Sequence, residues 1–166
     1  MLKHFIFFLT IVGFLNSNAQ KQNITLHAIS DFKQVSQKNH VSFYVHKYKK
    51  ALAINAGKHK GKFAIAQATK TIAKGTYQVT ITTLGEIDGE STYRLFVNDQ
   101  QVAEQQNQPT EKDYQPQTLN FGTIKIPKKA TIKIAFNSHT NGKIPEGNGT
   151  AFSRGRWTQL TLTPLD

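Results

Sequence analysis

No cysteine occurs anywhere in the 166 residues. Disulfide staples and a lipid-modified N-terminal cysteine are thereby excluded, and the fold must be held by a packed core. A chain near this length buries about 68–70% of its unfolded surface, enough for one self-sufficient domain. Acidic residues are also scarce, with 10 Asp and Glu against 21 Lys and Arg and a formal net charge of +11. Such a field attracts polyanions, among them acidic or sulfated polysaccharide, lipopolysaccharide and extracellular DNA. The cations are dispersed, as at Lys58, Lys60, Lys62, Lys125, Lys128, Lys129 and Lys133. That is the pattern of a solvated basic surface, and it makes no case for a specific nucleic-acid reader.

A long apolar run is missing too. The apolar stretch Phe5 to Leu15 is about half of the roughly 20 residues that a membrane-spanning helix needs. Lys3 and His4 precede it and the small residues Ser17-Asn18-Ala19 follow it, the pattern of a secretory signal peptide over residues 1–19 cut before Gln20. The expectation is a single domain over residues 20–166, secreted or periplasmic, with no membrane span after cleavage.

Helical periodicity of useful length and repeats of fixed period are both absent, and alternation with a period of two takes their place. Phe43 and Val45 alternate with Ser42, Tyr44 and His46; Tyr77, Val79 and Ile81 with Gln78, Thr80 and Thr82; Ile132, Ile134 and Phe136 with their polar neighbours; Leu160 and Leu162 with Thr161 and Thr163. Asn55-Ala56-Gly57, Lys74-Gly75, Asp88-Gly89, Pro127-Lys128-Lys129 and Asn141-Gly142 punctuate these runs, and Val97-Asn98-Asp99-Gln100 reads as a two-residue hairpin. About nine short strands at this spacing predict an all-β antiparallel β-sandwich of jelly-roll type. Two segments break the alternation, Asn107 to Pro116 and Thr140 to Arg156. Loops of such length in a compact domain tend to be functional.

"KGTYQVTI" (Lys74 to Ile81), "YRLFVND" (Tyr93 to Asp99), "TIKIPKKATIKIAF" (Thr123 to Phe136) and the closing "WTQLTLTP" follow one another in a characteristic order and spacing. They resemble galactose-binding-like β-sandwiches, especially family 6 and family 35 carbohydrate-binding modules, over roughly Phe63 to Pro164. The resemblance implies a non-catalytic sugar-binding role, with apical loops or one sheet face gripping a glycan. Those modules usually open with a Glu-Ala-Glu strand that helps hold a structural calcium ion. Here Leu26-His27-Ala28-Ile29 stands in its place, and Thr or Gln replaces the Asp common in the last strand, so that calcium set is incomplete.

Glu86, Asp88 and Glu90 place three of the 10 carboxylates within five residues, between the strands ending near Leu84 and beginning near Thr92. Carboxylates this close repel one another unless sugar hydroxyls, an arginine or a cation such as calcium relieves them. Trp157, the sole tryptophan, shares phase with Gln159 and Thr161, which puts its indole on the polar face as a stacking platform for a pyranose. A bulge at the strand entrance would instead turn it into core. Arg154 and Arg156 flank it, and guanidinium forks suit carboxylate or sulfate. His139, Asn141, Lys143 and Glu146 complete the glycine-rich loop as hydroxyl or acid contacts, and Tyr93, Tyr114 and Tyr44 are further aromatic candidates, Tyr93 the one in phase with the core.

The histidines have no metal spacing of the His-x-x-x-His kind, and no nucleophile is placed to pair with His139. The expectation is therefore a secreted β-sandwich that binds an acidic or sulfated polysaccharide without cleaving it. Its proposed contacts are Trp157, Arg154 and Arg156 together with Glu86, Asp88, Glu90, Asn141 and Glu146. The alternatives are a small lyase or hydrolase on the same scaffold and a basic adhesion protein that binds polyanions through general charge.

Overall fold

The computed structural model describes residues 22–35 and 40–165. The leader expected over residues 1–19 lies outside them. β1 (Ile24–His27) passes through one helical turn, α1 (Ala28–Asp31), into β2 (Phe32–Gln34), and β3 (Phe43–His46) through a 3-10 turn (Lys47–Lys49) into β4 (Ala51–Ile54). β5 (Phe63–Ala68), β6 (Gly75–Gly85), β7 (Thr92–Val97), β8 (Gln100–Gln106), β9 (Gln115–Ile126) and β10 (Ile132–Asn137) follow. A small ribbon of β11 (Pro145–Glu146) and β12 (Gly149–Thr150) precedes the closing β13 (Trp157–Pro164).

These strands build two antiparallel sheets. One has the order β3-β4-β13-β6-β9 with β1 also paired to β13; the other has the order β2-β5-β10-β7-β8. The alternation read from the sequence is the cause of this layering. Tyr77, Val79 and Ile81 of β6 and Leu160 and Leu162 of β13 point inward, against Leu95 of β7 and Ile132, Ile134 and Phe136 of β10 from the facing sheet. Burial of these apolar faces is what the two sheets gain by stacking. The turn at Asn98 and Asp99 has φ of 50° and 67°, the left-handed pair of a type I′ hairpin, as its residue types predict.

The acidic segment 86–91 does not join neighbouring strands, because β6 pairs with β13 and β9 whereas β7 pairs with β10 and β8 in the other sheet. It is a crossover spanning the two sheets. The glycine-rich segment before β13 is also not without strands, since the ribbon β11–β12 stiffens its middle.

Because β6 runs from Gly75 to Gly85, the sandwich has two ends. The crossover 86–91, the connection between β8 and β9, and the approach to β13 gather at the Gly85 end, which we call the loop pole. The turn at Asn98-Asp99 and the β9–β10 connection lie at the Gly75 end.

A further correction concerns Trp157, which is 0% exposed and part of the core. It meets Phe32 edge-on at 4.8 Å and Phe136 at 6.0 Å. The cause is a bulge. Trp157 pairs with Thr83 but Gln159 with Thr82, so Thr158 is an extra residue and the inward phase resets between Trp157 and Leu160. A tryptophan that fills the core cannot be the sugar platform. Trp157→Ala is therefore expected to lower the unfolding free energy by about 3–5 kcal/mol in chemical denaturation, the range for deleting a large buried aromatic side chain.

Candidate functional site

The loop pole is organised by one buried ion pair. Glu86 is the first residue beyond β6 and Arg156 the last before β13; they are 3% and 5% exposed, and the Arg156 guanidinium donates to Glu86 Oε2. The other carboxylate oxygen accepts the backbone N–H of Arg154 at 2.8 Å. Burial pushes the Glu86 carboxyl above the ordinary carboxylate range, while the Arg156 guanidinium and the Arg154 amide act in the opposite direction.

Two glycines let the segments meet this closely. A Cβ on Gly89 would lie 2.5 Å from the His139 carbonyl oxygen, and one on Gly155, whose φ is +57°, would lie 2.4 Å from that of Asn137. Beneath the pair, a polar chain ties both sheets together. Thr83 donates to Asn107 at 2.6 Å, the Asn107 amide lies 3.5 Å from the Tyr93 hydroxyl, and Tyr93 donates to the Arg156 carbonyl at 3.0 Å. Burial raises the Tyr93 phenol well above its usual range, so it serves as a donor and not as a base.

The acidic crossover and the glycine-rich approach therefore do converge. Arg154 is partly exposed and reaches Asp88 at 3.5 Å. Burial and the neighbouring Asp113 raise the Asp88 carboxyl above its ordinary value, against the pull of Arg154. Asn141 bonds across the junction: its backbone N–H donates to the Asp88 carbonyl at 3.0 Å and its side-chain amide to the Ile87 carbonyl at 2.9 Å, with Glu90 at 3.5 Å. His139 is half-buried, its backbone N–H donating to Ser153 Oγ at 3.1 Å. Lys143 and Glu146 are exposed on and beside the ribbon.

Of the residues expected to meet ligand, Arg154, Asp88, Glu90, Asn141, Glu146, His139 and Lys143 gather at this pole with at least part of their surface accessible. Trp157, Arg156 and Glu86 are withdrawn into the interior. With Glu86 oriented onto two arginines, the trio Glu86, Asp88 and Glu90 does not offer the shared oxygen cage that calcium requires. Among the described residues no three His, Cys, Asp or Glu side chains are grouped to hold a metal ion.

The sequence reading named Tyr114 and Tyr44 as aromatic candidates but missed Tyr48, Lys49 and His46, which join them in a shoulder beside this junction. Tyr114 has φ of +66° and is anchored by its N–H to the Gly85 carbonyl at 2.7 Å. Lys49 Nζ lies 4.2 Å from its ring centre and the Arg156 guanidinium carbon 4.8 Å. His46 Nδ1 accepts from Arg156 Nε at 3.2 Å, which places its own proton on Nε2. The 3-10 turn next to it displays Tyr48, 87% exposed, with Tyr44 at 40% on the same side as His46. Lys50 takes a left-handed φ of 50° at the end of this turn, and Lys49 Nζ lies 5.3 Å from the Tyr48 ring centre. A groove of about 560 Å³ continues from Lys49 and Lys50 toward His27, Ile29 and Gln159. The run "YVHKYKK" was the available signal, because three aromatic or imidazole rings among three lysines exceed what a plain solvated strand needs.

No protein-family model and no curated protein sequence matches the chain. Among solved structures it is similar to the CBM36-1 domain of a multidomain xylanase from the hindgut metagenome of Trinervitermes trinervoides, with a TM-score of 0.59 at 9% identity over 87% of this chain and 99% of that one. The Podospora anserina GH26-CBM35 β-(1,4)-mannanase reaches 0.49 at 15% identity over 87% and 28%, and the CBM35 of Paenibacillus barcinonensis 0.45 at 10% over 82% and 97%. At those last two scores the likeness bears no argument. The first shows a shared fold: the chain has the β-sandwich of carbohydrate-binding modules, the architecture that its strand motifs resemble. Among the described residues no helix is long and apolar enough to cross a membrane.

Two outcomes follow from the geometry. Glu86→Ala leaves Arg156 charged, buried and unpaired, and is expected to cost about 3–5 kcal/mol in chemical denaturation. Replacing both by apolar residues, Glu86→Leu with Arg156→Met, should cost less than the sum of the two single changes. His46 titrates below its ordinary 6.5 because of burial, Arg156, Lys49 and Arg154. The unfolded chain therefore takes up this proton at a higher pH than the folded one, so stability is full above about 6.5 and declines as pH falls toward the lowered folded value. His46→Gln should remove that component from a series of melts between pH 4 and pH 7.

Proposed function

We propose that the chain is an exported, non-catalytic carbohydrate-binding domain whose ligand is an acidic or sulfated polysaccharide held at the loop pole and its basic shoulder. The observation that carries this reading is Tyr48, a large aromatic ring 87% exposed with the Lys49 ammonium 5.3 Å from its centre. An open aromatic plate packs on the apolar face of a sugar ring, and an adjacent cation meets its carboxylate or sulfate. Tyr48, with Tyr44 and Tyr114, takes the stacking role first expected of Trp157. Lys49 and Arg154 supply the positive charge.

Asp88, Glu90, Asn141, Glu146, Lys143 and His139 line the remainder of the pole as hydroxyl contacts. Arg156 and Glu86 act from the interior, holding Tyr114 and Arg154 in position. Binding is the activity proposed, since the carboxylate of Glu86 is fully engaged by Arg156 and by the Arg154 amide. Export by residues 1–19 and a single domain over 20–166 belong to the same reading.

Affinity electrophoresis and calorimetry with alginate, carrageenan, pectin and neutral glucans test it. Retention by the anionic polymers and not by the glucans is expected. Tyr48→Ala and the paired Lys49→Ala, Arg154→Ala change should each weaken binding about tenfold or more, the ~1.4 kcal/mol or more of a principal contact. Binding that ignores Tyr48 and collapses steeply with salt would identify a general polyanion adhesin instead. Release of unsaturated, ultraviolet-absorbing products from uronate polymers would identify a lyase.

A further inference from the structure

The opposite end of the sandwich carries a second cavity, of about 570 Å³, where the free edges of the two sheets part between β9 and β8. Its volume lies within the roughly 300–1,000 Å³ of small-molecule sites. β6 separates it from the loop pole by about 33 Å, at ~3.3 Å for each of the steps from Gly75 to Gly85. The two sites share no residue.

The interior of this cavity is mostly apolar. Ile126, opposite Gly75 in the β6–β9 register, and Val97, the last residue of β7, form its floor and are buried. Val102 and Pro127 form its walls. Val102 is there because of a bulge: Leu95 pairs with Ala103 but Phe96 with Gln101, so Val102 is the extra residue of β8, and it is left 38% exposed.

Lys74, Lys125 and Lys128 rim the mouth, and no carboxylate belongs to the lining. None of the three forms an ion pair among the described residues, and the nearby turn carboxylate, Asp99, is taken by Lys133. An apolar pocket closed by three uncompensated ammonium groups is complementary to a molecule with an apolar body and one anionic head. No aromatic ring belongs to its lining, so it lacks the open plate on which a sugar would stack. We propose that this cavity binds a free, monomeric amphiphile, a medium-chain alkyl carboxylate or alkyl sulfate, with its chain on Val97, Ile126 and Val102 and its head among Lys74, Lys125 and Lys128.

Calorimetry with butanoate, hexanoate, octanoate and decanoate at physiological salt tests the proposal. Each added methylene should tighten binding about fourfold, the change that ~0.8 kcal/mol per buried CH₂ produces, until the cavity is filled. Octanol should bind about tenfold more weakly than octanoate. Val102→Trp, at an exposed position, should fill the mouth and abolish binding of both. The triple change Lys74→Gln, Lys125→Gln, Lys128→Gln should bring octanoate down to the affinity of octanol and leave octanol unchanged. Tyr48→Ala should leave octanoate binding intact, so failure of the polysaccharide reading and failure of this one are separable. Affinity that is indifferent to chain length, or that survives Val102→Trp, would overturn the proposal. So would adsorption to phosphatidylglycerol vesicles without saturable binding of monomeric octanoate.

Discussion

The loop pole depends on the buried pair of Glu86 and Arg156. Two charges removed from water are tolerated only where each meets its partner and the remaining lone pairs and N–H groups are also bonded. Here Glu86 has both oxygens engaged, by a guanidinium and by the Arg154 amide, and Arg156 adds His46 and the Tyr114 ring to its contacts. Through those bonds the entrance of β13 is locked to the exit of β6, and Tyr114 and the strand bearing His46 are locked to both. The residues available to a ligand, Arg154, Asp88 and Tyr114, owe their positions to a pair that no ligand can reach.

The backbone contributes as much as the charges. The Tyr93 hydroxyl reaches from β7 to the Arg156 carbonyl, a bond between the two sheets that resists their sliding. Gly89 and Gly155 are places where two backbones touch, and any side chain there would separate the segments that the ion pair joins. Tyr114, in a left-handed conformation that costs a residue with a Cβ some free energy, is kept there by Gly85 on one side and cations on the other. Strain of this kind collects where the surrounding structure over-determines a residue, which fits a position that presents a ring to solvent.

Charge is divided between the two ends in different ways. At the loop pole cations and carboxylates interleave, and burial together with Asp113 raises the proton affinity of Asp88 against the pull of Arg154. At the far end three lysines surround an apolar cavity with no acid among its lining residues. Mixed polar surface suits a hydroxylated chain, whereas a uniform cationic rim over apolar walls suits an amphiphile. The overall charge of +11 describes neither, since it averages over both.

Alternation by twos, turn residues with left-handed angles and the absence of cysteine were enough to specify an all-β sandwich, because strand periodicity and turn chemistry are local properties of neighbouring residues. The Asn98-Asp99 hairpin was legible for that reason. The fate of Trp157 was not. Its phase with Gln159 and Thr161 is real in the chain, but one extra residue at Thr158 reverses it, and the spacing of three between Trp157 and Leu160 was its only trace. Nor did proximity in sequence show that Glu86 turns inward while Asp88 stays partly open, or that Tyr48 and Tyr114 share a surface with Arg154. Composition and periodicity thus determined the kind of layers this chain forms, whereas which side chains meet at the poles was decided by inter-sheet crossovers, bulges and close backbone approach, contacts between residues about 70 to 110 positions apart that act only once the two sheets have stacked.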